Sequence, residues 1–577
     1  MTLKIFVLLL FITITTSNNQ PPLMSQLSQL RSLLDEIQSS GSTASTHELQ
    51  SLAPKLRKAA QAALNSRDEN GLTRVHHAVI EQDLERLSSL LDLGLDQDDA
   101  AGELRVRPLH LAVLAGDGKL DCLDKLLDAG ASPDLADANG TTALHAASTL
   151  NLPNVASRLL DAGASVDRRG AKGVRALQLA AWSNAAEAAE VLLDRGANPD
   201  ATDKRRRTAC HAASASDSAE ALEVLLDHKA SPQKADGKGR TPLHYAVRAC
   251  SCSDPRCPKV RTVQLLLEAG AKTETEDSAG WSAVDVAAEL NRVAPLQMLL
   301  SSGASANRCG SAGCPPLTLA AHSGAREGVA ILLAAGAAID ARDANGASAA
   351  MAAAVGAHQR TLKLLLQAGA PITATDDAGR TCAHYAAKSD SAPCLRALRK
   401  AGVDLGAETT FGWTPVHVAA NHSCASAMAM LLQSGKCPVD VRDTAGWSPL
   451  HLATHRLGQG TEGCRCRACR KLHRDRRQCM RLLLRHGAST DTVDQRHATP
   501  AHLAAAHDDD EGLRMLRAYG AKLWDREDDD GQTPLRLARR LHKPSRFVKT
   551  MLMLPDVVEM LPQPSEQEME LDDEDRP

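Results

Sequence analysis

A chain of 577 residues is too long for one hydrophobic core and predicts roughly four domains of about 150 residues, unless it is a repeat array, which grows without a single core. Aromatic residues make up only 2% of it, too few for several conventional cores, while Ala, Leu, Asp and Gly recur in short blocks such as Leu126-Leu127-Asp128-Ala129-Gly130-Ala131. A formal net charge of −4 excludes a global field that would draw nucleic acid or an anionic membrane.

The N-terminal residues open on Lys4 and an apolar run from Ile5 to Ile14, followed by Thr15, Thr16 and Ser17. Ten residues are too few for a membrane span of about 20, and the pattern matches a secretory signal peptide. Residues 1–23 also hold two of the four Phe (Phe6 and Phe11) and no Ala, Arg, Asp or Gly, so a start at Met24 and an intracellular protein is the competing expectation. Leu27, Leu30, Leu33, Leu34 and Ile37, then Leu49, Leu52 and Leu56, space two amphipathic helices that would cap whatever follows, over residues 24–66.

From about Arg67 a unit repeats. Aligning on the residue two after a turn Gly gives anchors at 73, 107, 142, 175, 208, 241, 282, 315, 348, 381, 414, 448, 499 and 533. Eleven of the thirteen intervals are 33 to 35 residues; the other two, 41 and 51, contain insertions. One unit shows the local physics. Asn139-Gly140 forms a hairpin tip because Gly accepts positive φ, Thr142 caps a short helix through Ala143, Leu144, Ala146 and Ala147, Pro153 opens a second helix with Val155, Leu159 and Leu160 on one stripe, and Gly163 ends it. So small a helix pair must lean on its neighbours.

At the anchors stand Thr241-Pro-Leu-His-Tyr-Ala, Thr414-Pro-Val-His-Val-Ala, Ser448-Pro-Leu-His-Leu-Ala and Thr499-Pro-Ala-His-Leu-Ala. Period and motif together resemble the ankyrin-repeat family over more than four-fifths of the chain. The resemblance implies an all-α solenoid of about 14 helix-turn-helix repeats joined by β-hairpin loops over residues 67–551. It also implies that the motif His at 76, 110, 145, 211, 244, 384, 417, 451 and 502 bonds loop backbone and ties successive repeats, a structural role. Gln178, Asp285, Thr318 and Arg536 replace that His, and Ala347-Ser-Ala-Ala-Met351 has lost most of the motif, so softer interfaces are expected there.

Two insertions interrupt the array, near 249–258 with Cys250, Cys252 and Cys257, and near 457–479 with Cys464, Cys466, Cys469, His473 and Cys479 among Arg and Lys. The second set has the residue types of a tetrahedral zinc site that would rigidify a loop, with nearby Arg lowering the thiol pKa values; zinc is its expected metal, and no other cofactor is expected. The alternative is a metal-free loop of reduced or paired Cys. Basic runs Lys204–Arg207 and Arg470–Arg477 resemble nuclear-localisation patches, but with few aromatics to stack bases they read as surface charge and no direct nucleic-acid binding is expected. Beyond the array, residues 552–577 form an acidic tail too poor in apolar residues to fold.

No Walker-type phosphate loop, His-Glu-x-x-His or nucleophile elbow is found, and no segment outside the repeats is large enough for a catalytic domain, so no catalytic residue is expected. The expected function is a non-catalytic scaffold or adaptor that binds other proteins in the cytoplasm or nucleus. By analogy with the family, hairpin tips and first-helix faces would carry the contacts: Trp182, Arg205, Arg206, Trp281, Trp413 and Trp447. Two alternatives stay open: a secreted array, similar to the extracellular repeats of latrotoxin-type proteins, and a zinc-stabilised regulatory module at residues 464–479.

Overall fold

A computed structural model describes residues 67–250, 260–435, 437–455, 467–507 and 509–539. The signal-like segment, the N-terminal cap, most of the first insertion and the acidic tail lie outside the described residues. The chain divides into two compact units, Met1–Ser278 and Ala279–Pro577, with the first six anchors in one and the last eight in the other.

The described residues form twenty-seven α-helices, thirteen pairs from Arg74–Glu81 and Leu84–Asp92 to Pro500–Ala506 and Asp510–Ala518 and then the first helix Pro534–Arg539. Within each unit the first helices pack on one another and the second helices pack behind them. Two positions explain the close approach. Five residues after each anchor stands an Ala, as at Ala147, Ala180, Ala213, Ala353 and Ala386, all fully buried. Four residues before each helix-ending glycine stands a Leu, as at Leu159, Leu192, Leu299, Leu332, Leu365 and Leu483, also fully buried. The small residue sets the helix spacing, and the large one fills the layer between pairs; truncating such a Leu to Ala costs about 2–5 kcal/mol.

The connecting hairpins are held by turn bonds rather than by a ladder. No strand is assigned among the described residues, and only two isolated bridges occur, Ala101 with Val106 and Arg342 with Ser348. The arms are too short for a ladder, and an Asp side chain takes its place: Asp137 Oδ1 accepts the N–H groups of Asn139 (2.9 Å) and Thr141 (2.7 Å). Asp203, Asp236, Asp343, Asp376, Asp443, Asp494 and Asp528 do the same in their hairpins. A backbone bond then joins most tips to a neighbour, for example Lys204 N to Lys172 O at 3.1 Å and Gly237 N to Arg205 O at 2.9 Å. Gly140, at φ 78°, has no room for a side chain because a Cβ would meet Ala171 N of the following tip at 3.0 Å.

The motif histidines carry the lateral bonds. His76 Nδ1 accepts from the Thr73 hydroxyl (2.7 Å) and backbone N–H (3.3 Å), while its Nε2–H donates to Val106 O at 3.0 Å in the next repeat. His145, His211, His384, His417, His451 and His502 repeat the pattern, each reaching the carbonyl just before the next anchor, at 2.8 to 3.2 Å. His110 makes the outward bond, to Thr141 O at 2.8 Å, although Arg107 stands where the others have Thr or Ser. His244, in the repeat that carries the first insertion, is buried and holds the cap of its own helix: Nδ1 accepts from the Thr241 hydroxyl (2.9 Å) and backbone N–H (3.1 Å). The role expected of His244 is thus met on the cap side, and its tie to the repeat beyond the insertion stays an expectation.

Gln178 departs from the motif in name only: Arg175 N donates to its Oε1 (2.9 Å) and its Nε2 donates to Arg207 O (2.6 Å), so the expectation of a softer interface there is corrected. Asp285 bonds within its own cap, to Ser282. Arg536, in the last described repeat, bonds its own hairpin at Gly531 O and Glu527.

Burial holds the eight motif rings other than His244 below the ordinary imidazole pKa, partly opposed by the backbone carbonyl each one bonds; His451 falls to about 4. Between that value and the unfolded value of 6.5 the unfolded chain binds more protons. Stability from His451 is therefore complete above about pH 6.5 and is lost as pH falls toward 4, a loss of roughly 3 kcal/mol at that site. Thermal unfolding followed from pH 7 to 4 is expected to show a falling midpoint, with His451→Gln reducing the pH dependence; a flat profile would contradict the neutral-imidazole tie. A second expectation concerns the anchors at 282, 315 and 348, where Asp285, Thr318 and Met351 have no ring N–H for that bond: amide exchange over residues 313–370 should be faster than over 142–240.

Candidate protein-binding faces

In the first unit, large apolar side chains stand exposed at the ends of four successive first helices: Ile80 (52%), Leu114 (65%), Leu150 (50%) and Trp182 (53%). A folded chain has no internal reason to leave four such groups in one row, and rows of this kind mark contact surfaces. The corresponding positions of the second unit carry Glu289, His322, Val355, Lys388, Asn421, His455 and Ala506, none of them an exposed large apolar side chain.

Across the first helix, a length of about 11 Å, lie the hairpin tips of the same unit. Lys172, Lys204, Arg205, Arg206 and Lys238 are exposed on three consecutive tips that the backbone bonds hold side by side, and none has an ion-pair partner among the described residues. Arg206 adopts φ 61°, so the tip turns there without a glycine. Thus Trp182, Arg205 and Arg206, picked out in the sequence, share one unit with an apolar row that sequence reading missed. Leu114 and Leu150 look like core leucines in the sequence, and only their places at the C-caps of short helices expose them.

The other three Trp candidates behave differently. Trp413 donates its indole N–H to Asp443 (2.9 Å) and Trp447 donates to Asp494 (3.2 Å), in each case the turn Asp of the following hairpin. Both rings also stack on the motif His of their own repeat, Trp413 on His417 and Trp447 on His451. They are half-buried staples between repeats. Trp281 lines a cavity of about 390 Å³ together with Leu319, Met351, Val355 and Tyr385, with Glu289, Asp343 and Arg380 among its polar groups. The cavity lies over three consecutive repeats that lack the motif His, with Thr318 and Met351 at the His position in two of them, and is closed by Arg380 and Tyr385 of the repeat that follows. Beside it, Arg380 and Tyr385 both bond Asp376, holding its carboxyl low against the burial that would raise it.

The proposed zinc ligands separate. Residues 467–485 are not loop but one 19-residue helix, Arg467–Arg485, ten residues longer than the second helices around it. Cys479 lies ten residues along that helix from Cys469, about 15 Å, too far for both to bind one tetrahedral ion. Its thiol is buried beside Cys424, and burial drives its pKa upward against the small opposing effect of Arg476, so the expected lowering by neighbouring Arg is corrected. Cys464 and Cys466 lie outside the described residues, as do the side chains of Cys469 and His473. No group of three or more metal-binding side chains occurs among the described residues. The core cysteines are likewise inert: burial pushes Cys210 and Cys382 up to about 12.

Helix pairs with an Ala floor, Asp-held tips and a His tie from repeat to repeat define an array whose surfaces, rather than any enclosed centre, are available for binding. The family model for ankyrin repeats, in three copies, matches residues 109–203, 196–277, 249–343, 317–409 and 384–464, together more than half of the chain. The chain belongs to the ankyrin-repeat family. A stretch of 90 residues is 39% identical to the B-cell lymphoma 3 protein homolog of Mus musculus, covering 15% of this chain and 20% of that protein. The chain therefore aligns with about a fifth of the length of this relative. Ankyrin repeats imply a role in protein–protein interaction, and no helix among the described residues is long and apolar enough to cross a membrane.

Two substitutions separate stapling from binding. Trp413→Phe, which keeps a smaller aromatic ring and deletes the donor to Asp443, is expected to lower stability by about 1 kcal/mol or more. Trp182→Ala, at an exposed position, should leave the unfolding midpoint within about 0.5 kcal/mol of wild type. Chemical denaturation of both checks the assignment; the reverse ranking would contradict it.

Proposed function

We propose that this protein is a non-catalytic scaffold or adaptor, and that its first unit docks a partner segment between the apolar row ending at Trp182 and the basic tips at Arg205 and Arg206. The observation that carries this reading is the pairing, within one unit, of four exposed apolar side chains with a row of unpaired cations. Such a face suits a segment with large apolar side chains on one edge and carboxylates on the other, where buried apolar anchors supply affinity and charge supplies orientation. The cavity at Trp281 is a second contact point for an apolar side chain.

Two finer readings accompany it. The scaffold acts in the cytoplasm or nucleus if translation starts at Met24, and outside the cell if residues 1–23 are a cleaved signal; the intact mass of the mature protein separates these. With Cys479 removed from the set, Cys464, Cys466, Cys469 and His473 remain as four candidate zinc ligands, the last two one helical turn apart. Zinc measured in the reduced full-length protein and lost in Cys469→Ser with His473→Ala supports that reading, and a metal-free reduced protein ends it.

The docking face is tested by quantitative capture from native tissue with the full-length protein and the variant Trp182→Ala, Arg205→Glu, Arg206→Glu. Partners retained by wild type should fall by about tenfold or more in the variant at equal thermal stability. An unchanged set of partners would remove this face from the account.

A further inference from the structure

The outer helices of the second unit carry an unusual distribution of charge. Gln359–Gln367 has Arg360 and Lys363 and no acidic residue; Ala392–Lys400 has Arg396, Arg399 and Lys400 and no acidic residue; Ala425–Gln433 has no charge at all. Next comes Arg467–Arg485, on which Lys471, Arg474, Arg477, Arg481 and Arg485 recur at intervals of three or four residues and so fall on one face, about 21 Å long. The only acidic residue of that helix is Asp475. A basic outer face is no general property of these repeats: in the first unit the equivalent helices Ala186–Asp194 and Ala219–Asp227 each carry three acidic residues and no cation.

The stripe already holds one carboxylate. Glu511, on the adjacent helix Asp510–Ala518, accepts from Arg477 at 2.5 Å and from Arg481 at 3.4 Å. The other acidic residue of that helix, Asp510, is taken by Arg514 (2.7 Å). Lys471, Arg474 and Arg485 are exposed, with no ion-pair partner among the described residues. The helix packed on the other side, Ala425–Gln433, supplies no neutralising group. Single Arg–carboxylate pairs in solvent are weak, but a row at helical spacing engages several carboxylates of one ligand at once.

We propose that the outer face of Arg467–Arg485 is a second interaction surface, separate from the docking face of the first unit, which takes an Asp/Glu-rich polypeptide segment of a partner protein. A polypeptide is favoured over a nucleic acid because the stripe binds a side-chain carboxylate in the structure and offers no aromatic ring on which a base could stack.

The probe is a fluorescein-labelled peptide of five Glu-Asp-Gly triplets, titrated against the full-length protein at near-physiological salt. Saturable binding is expected. It should weaken by about tenfold or more in Lys471→Glu, Arg474→Glu, Arg485→Glu, and be unchanged in the control Lys125→Glu, an exposed lysine outside both faces. If the triple reversal unfolds, the Gln series at the same three positions replaces it. Glu511→Gln releases Arg477 and Arg481 and is expected to tighten binding severalfold. The proposal is overturned if the reversals and Gln changes leave affinity within twofold of wild type. It is equally overturned if oligouridylate or phosphatidylserine vesicles bind while the peptide does not, or if the peptide binds only after the acidic residues of 566–575 are converted to amides, which would assign the stripe to the chain's own tail.

Discussion

The bond on which everything else depends is the one from a buried, neutral imidazole to the carbonyl that precedes the next anchor. It works because one ring faces two ways. Nδ1 accepts from the cap of its own helix and Nε2–H donates to the following repeat, so the first helix is fixed at its start and locked to its neighbour by the same side chain. A protonated ring would lose the acceptor, and the opposite tautomer would lose the donor. Periodicity follows from this geometry. The carbonyl that His211 reaches lies 29 residues ahead, and an insertion is tolerated only where it leaves that carbonyl in place, as in His451 reaching Ala498 across 47 residues.

Where the imidazole is missing, the protein has room to differ. Asp285, Thr318 and Met351 mark three consecutive repeats in which no imidazole spans the gap, and the cavity at Trp281 opens over them. Elsewhere specialisation lies in residues that the fold does not need: exposed leucines at helix ends, cations on tips already held by Asp, and a second helix extended by ten residues. The repeat frame is generic, and the departures from it carry whatever is particular to this protein.

Much of the frame was legible in the sequence because it rests on local chemistry. Anchor, turn Gly, helix-ending Gly and motif His each act within a few residues of themselves, so spacing alone locates them. Gln178 was misjudged because a change of letter hid an amide that offers the same acceptor and donor. The stapling role of Trp413 and Trp447 is not legible in the sequence because their indole partners, Asp443 and Asp494, sit 30 and 47 residues away. The exposed row of Ile80, Leu114, Leu150 and Trp182 could be found only by aligning helix ends across repeats, since each residue alone reads as core. The described part of the Cys-rich insertion, residues 467–479, reads as loop in the sequence because Cys and Arg dominate it; the apolar residues Met480, Leu483 and Leu484 give one helix its buried side, and the run of Arg ahead of them continues that helix.

The repeats are tied together only while those rings stay neutral, and nitrogen-15 NMR of protein labelled only at histidine reads their protonation directly. At pH 7 the motif histidines should show neutral rings with the proton on Nε2 and a bare Nδ1, and those signals should persist well below pH 6. Rings found protonated at pH 7, or carrying the proton on Nδ1, would contradict the tie between repeats and the array built on it.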